Sequence, residues 1–112
     1  MNQQTPHPSS NEKESVPQFK STTDAFTKII AGAMRKRFGK PTVVSVETRI
    51  IDLGLNDQDQ RVLIAEILQQ TKNHYLFTPE LRAILRSPAS YTLTLNEMVH
   101  AMLNEADKVS GK

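Results

Sequence analysis

Ile51-Asp52-Leu53-Gly54-Leu55-Asn56-Asp57-Gln58-Asp59 is the stretch that decides how this chain is read, because its character changes halfway along. The first half is apolar and contains a glycine. The second half holds residues that begin helices: Asn and Asp accept hydrogen bonds from the free amides of a first turn, and carboxylates there oppose the positive end of the helix dipole. The stretch therefore predicts an apolar loop that delivers the backbone into a helix starting at Asn56 or Asp57. Beyond it Val62, Leu63, Ile64, Ile67 and Leu68 keep helical spacing, so this helix is expected to reach about His74.

Working upstream, Phe26, Ile29, Ile30, Ala33, Met34 and Phe38 recur every three to four residues and mark one face of a first helix. Ser21-Thr22-Thr23-Asp24 supplies a hydroxyl cap followed by an acid, and Gly39 with Lys40-Pro41 supplies the stop. Gly32, inside this helix, costs about 1 kcal/mol relative to alanine; close packing and simple tolerance both account for it. From Pro41 to Asn56 the apolar residues Val43, Val44, Val46, Ile50, Ile51, Leu53 and Leu55 are strand-like by β-branching. Two strands would have no sheet to join, and a lone hairpin is marginal in water, so a long, partly buried loop is the expectation.

Downstream, Thr78-Pro79-Glu80 opens a short third helix with Leu81, Ile84 and Leu85 on its apolar face, and Ser87-Pro88 closes it. Thr94 and Glu97 form a capping box before Met98, Val99, Met102 and Leu103. Helices with single apolar faces bury them against one another. The expected fold is all-α, a bundle of three longer helices and one short one, with a long loop between the first and second. Its limits are read as residues 21–107. Residues 1–20 are rich in Asn, Gln, Pro, Ser and charge, with Val16 and Phe19 as their notable apolar groups after Met1, and so read as a disordered tail. Residues 108–112 read as a disordered C-terminus.

The order of these elements, with Asp52-Leu53-Gly54 ahead of the central helix, resembles that of acyl carrier proteins over residues 22 to 106. Leu63, Ile64 and Ile67 fall where that family places apolar residues on its central helix, and the last helix, opening with Thr94-Leu95, is similar to the family's final helix. The resemblance implies the acyl-carrier-protein-like four-helix bundle, the phosphopantetheine-binding fold. In that family a serine at the start of the central helix carries the phosphopantetheine arm. The matching position here is Asp57, whose carboxylate can cap a helix but has no hydroxyl to attack coenzyme A. No phosphopantetheine cofactor is therefore expected.

Other departures bear on partners. Carriers present an acidic central helix to basic patches on their enzymes. Asp59 keeps one such charge, but Val62, Leu68 and Gln69 stand where further glutamates are usual, Gln58 stands for a leucine, Thr71 for an aromatic, and Arg61 has the opposite sign. Charge complementarity sets encounter rates and rejects wrong partners, so this helix is expected to dock poorly on the usual carrier-binding surfaces. The resemblance thus implies a non-catalytic adaptor, with Asp57, Gln58, Arg61, Val62 and Gln69 as contact residues. Val62 or Leu68 would be exposed anchors, although Leu68 reads better as core. A second reading keeps a carrier with an atypical attachment site. Ser45 is its first candidate, but it lacks the Asp-Ser-Leu context.

With 112 residues, a formal charge of +2 and no cysteine, the chain reads as one small domain without disulfides, thiolate metal sites or cysteine nucleophiles, expected as a monomer in the cytoplasm. No run approaches the roughly 18 apolar residues that span a bilayer, and the N-terminus has neither the basic start nor the apolar stretch of a secretory signal. The pI is near 9.0, yet 14 basic residues stand against 12 acidic ones. Arg35-Lys36-Arg37 with Lys40 form the basic cluster. It supports a third reading, a nucleic-acid accessory protein, and more simply a solvated helix end set favourably against the dipole. His7, His74 and His100 lack metal-ligand spacing, Asp57 and Asp59 are two apart and do not face each other on a helix, and Gly32, Gly39, Gly54 and Gly111 form no phosphate loop. Neither an enzyme nor a metal site is expected.

Overall fold

A computed structural model describes residues 17–110. Four α-helices, α1 (Pro17–Lys36), α2 (Asp57–Gln70), α3 (Pro79–Arg86) and α4 (Leu95–Ser110), are joined with two 3-10 turns, Ile50–Leu53 and Pro88–Thr92. No strand forms among the described residues; a single antiparallel bridge pairs Arg49 with Thr94. The all-α reading and the long loop between the first two helices both hold.

Each helix packs on the next, and α4 returns to α1, so the four close into a ring. Phe26, Ile30 and Met34 of α1, Leu63 and Ile67 of α2, Leu81 and Leu85 of α3, and Leu95, Met98, Val99 and Met102 of α4 are fully shielded inside it. Burying each such side chain is worth about 1.5–3 kcal/mol. Leu68, read as core, is half-buried against this cluster.

The helix limits differ from expectation at three places. α1 already includes Pro17–Lys20, ahead of the start expected at Ser21, so these residues belong to the helix and not to the tail. Phe19, 5% exposed, brings its ring centroid to 4.8 Å from that of His100. Thr22 and Thr23 are buried inside the helix, where the Thr23 hydroxyl donates to the Lys20 carbonyl at 3.0 Å instead of capping anything. The rest of the expected tail, residues 1–16, lies outside the described residues, as do 111–112. α2 ends at Gln70, short of His74, because Thr71 turns back on it: its amide and its hydroxyl both donate to the Ile67 carbonyl, at 3.1 and 2.6 Å. α4 continues to Ser110, past the limit drawn at 107.

The loop of residues 41–49 alternates between exposed and half-buried, the pattern of an extended chain lying on a surface. What it pairs with is a helix end. The Leu95 and Asn96 amides of α4 donate to the carbonyls of Thr48 and Val46 at 3.2 and 3.0 Å. The Thr94 amide donates to Glu97 Oε1 at 2.8 Å and the Glu97 amide to Thr94 Oγ1 at 3.1 Å, the capping box read from the sequence. All the free amides at the start of α4 are thereby partnered.

Candidate functional site

The start of α2 is built by a turn, a cap and a tether. Gly54 adopts φ 77°, a left-handed conformation that glycine takes at little cost, and so aims the chain into the helix. Lys40 Nζ donates to the Gly54 carbonyl at 2.9 Å and holds the turn from outside. Asn56, not Asp57, is the cap: its Oδ1 accepts from the Asp59 amide at 2.8 Å. Gln60 is buried and donates from Nε2 to the Leu55 carbonyl at 3.1 Å, which locks the apolar loop to the first turn. Asp57 is left exposed at the first helical position, with no ion pair or side-chain hydrogen bond to any described residue.

The expected contact residues share one side of α2. Gln58, Val62 and Gln69 fall on one ridge at helical spacing, with Ala65 between them and Arg61 beside them. Gln58, Arg61 and Gln69 are exposed, while Val62 is half-buried. Val62 lines a shallow groove towards α1 with Lys36, Arg37, Phe38, Asp59 and Glu66. A second groove, on the other flank of α2, is lined by Arg61, Ile64, Ala65, Leu68, Arg86, Pro88 and Tyr91. Arg86 and Tyr91 escape a reading of the sequence, since α3 and the turn after it meet α2 only in the folded chain.

The basic cluster is divided by the fold. Arg37 pairs with Glu66 at 3.5 Å, and Lys40 is held on Gly54. Arg35 and Lys36 remain exposed on the last turn of α1, facing a cleft with Lys28 and Gly32. Ser45 sits in a compact turn, where its Oγ accepts from the Glu47 amide at 3.1 Å and its own amide donates to Thr48 Oγ1 at 3.0 Å. His74 accepts from the Leu76 amide at 3.3 Å and packs on Tyr75 and Phe77, and His100 packs on Phe19. No group of three or more His, Asp or Glu side chains able to hold a metal occurs among the described residues. No helix among them is long and apolar enough to cross a membrane.

The geometry therefore defines a helical bundle whose central helix presents a mixed polar and apolar face beside an exposed carboxylate that does not cap the helix. Compared with protein-family models, curated proteins and solved structures, the chain matches none, so its function is argued from its own residues.

Proposed function

We propose that this chain is a non-catalytic, acyl-carrier-protein-like adaptor that carries no phosphopantetheine and binds a protein partner through the outer side of α2. The observation that carries the reading is Asp57. Asn56 caps the helix, so Asp57 is not needed for capping; it stands exposed where the carrier resemblance places the modified serine. Its carboxylate offers no oxygen for a phosphodiester, and Ser45 Oγ is engaged in its own turn. The candidate recognition surface is then the outer side of α2 along its length, with Asp57, Gln58, Arg61, Val62 and Gln69. Arg37 and Lys40 are already engaged within the fold, which weakens the nucleic-acid reading.

Two measurements test the proposal. Intact mass after incubation with coenzyme A and a broad-specificity phosphopantetheinyl transferase should show no gain while a genuine carrier protein is fully converted. Gain of one phosphopantetheine overturns the reading, and Ser45 is then the first residue to map. Affinity capture from the source cell should retain a specific protein on the wild type and lose it on the Gln58→Glu/Arg61→Glu double variant. Both side chains are exposed, so the melting temperature should stay the same. Equal capture by the double variant rejects the α2 surface.

A further inference from the structure

The groove between α2, the end of α3 and the Pro88–Thr92 turn combines an apolar floor with unpaired positive charge. Its floor is apolar: Ile64 is 5% exposed, Leu68 and Tyr91 are half-buried, and Ala65 and Pro88 are exposed at its edges. Its two charged groups are both arginines, Arg61 from α2 and Arg86 from α3, and no carboxylate lines it. Both are exposed, and neither has a hydrogen bond or ion pair with a described residue. Arg82, bonded to the groove residue Leu68 and to Thr71, is engaged within the fold, as are Arg37 with Glu66, Arg49 with Asp52 and Lys40 with Gly54 elsewhere.

We infer that this groove docks an acidic, amphipathic segment of another protein, with an apolar side chain seated on Leu68 and Tyr91 and carboxylates reaching Arg61 and Arg86. The proposal rests on the adaptor reading and names the chemistry of its partner. Guanidinium groups bind carboxylates through paired, charge-assisted hydrogen bonds, and an aromatic with adjacent arginine is the composition of energetic centres in protein interfaces. The apolar floor favours a protein segment over a nucleic-acid backbone, which would leave Ile64 and Leu68 unused. The groove measures about 490 Å³, room for an anchor side chain and its flanks but not for a whole domain. The polarity is the reverse of a carrier's acidic helix: here the bundle supplies the positive charge.

The probe is an acetylated, amidated 15-residue peptide of Leu, Phe, Glu and Asp, patterned as an amphipathic helix and titrated into the isotope-labelled full chain by NMR. A twin peptide with every acid replaced by lysine is the control. Saturable shifts at Leu68, Arg86 and Tyr91 are expected for the acidic peptide only. Affinity should fall as salt rises, and at least tenfold in the Arg61→Gln/Arg86→Gln variant, whose unaltered melting temperature shows that the fold is kept. Several results overturn the proposal: no saturable shifts, equal binding of the lysine twin, or shifts confined to Gln58, Val62 and Gln69. Shifts that follow the protein's own concentration would place a second copy in the groove, and competition by an RNA oligonucleotide would place a nucleic acid there; each also overturns it. Failure of the peptide, with a native partner still captured and then lost on Gln58→Glu/Gln69→Glu substitution, rejects the groove alone. Phosphopantetheine gain rejects the adaptor reading whatever the peptide does.

Discussion

Thr22 lies fully buried on α1, and its hydroxyl finds no partner among the described residues. A buried polar group without a hydrogen bond costs on the order of 1–3 kcal/mol. Thr22→Val keeps the branched shape and removes the hydroxyl, so it should raise stability by about 1 kcal/mol in thermal or urea unfolding. A loss would show that the hydroxyl is bonded after all. Gly32 gives a second residue-scale prediction. A Cβ there would meet nothing within 4 Å, so no internal close approach requires glycine. Gly32→Ala should therefore gain about 1 kcal/mol from helix propensity. The same change at Gly39 or Gly54, where φ is 63° and 77°, should lower the midpoint of unfolding, because alanine resists the left-handed conformation. Of these distinctions the sequence showed the stop at Gly39 but not the others. Thr22 and Thr23 resemble cap residues in type, and Gly32 and Gly54 differ only by the backbone and space around them.

At the scale of elements, what could be read was what is local. The spacing of Leu63, Ile64 and Ile67, the Thr78-Pro79 start and the Thr94–Glu97 box each depend on residues within a turn or two, and each of these helices starts where it was expected, although α2 stops short of His74. What could not be read depends on distant pairs. The loop carbonyls of Val46 and Thr48 hold the first amides of α4, so the strand-like pattern of 41–49 is satisfied by a helix end in place of a sheet. Arg82 makes a comparable link between α3 and α2. Its Nη2 donates to the Leu68 carbonyl at 2.9 Å and its Nη1 to Thr71 Oγ1 at 3.1 Å, closing the C-terminus of α2 where the helix dipole is negative. Arg82→Ala should cost about 1–2 kcal/mol in urea unfolding, as expected for half-buried hydrogen bonds from a charged donor. Arg82→Lys should recover only part of this, since one ammonium cannot span both acceptors. A neutral Arg82→Ala would mean that Thr71 alone closes the helix.

The candidate site divides in the same way at the scale of the molecule. The contact residues on the outer side of α2 came from the carrier resemblance, whereas the groove exists only because the fold brings Arg86 and Tyr91 beside Arg61 and Leu68. The turn of α1 ahead of Ser21 was likewise hidden by a long-range contact. Local cap signals favour Ser21, yet α1 already includes Pro17–Lys20, where the ring of helices closes between α1 and α4 and Phe19 lies on that seam against His100. Phe19 is 5% exposed and part of the central apolar cluster, so its side chain contributes to the core of the whole molecule and not to helix propensity alone. Phe19→Ala should therefore destabilise the chain by about 3 kcal/mol, the lower end of the range for truncating a buried phenylalanine. A chain shortened to begin at Ser21 should lose at least as much. Val43→Ala, at a position 93% exposed on the loop, is the control and should leave the urea midpoint where it was. If Phe19→Ala unfolds at the wild-type midpoint, α1 starts at Ser21 in solution and the seam closes without its first turn. If both shortened and substituted chains shift while Val43→Ala does not, the bundle's boundary is the one drawn by burial.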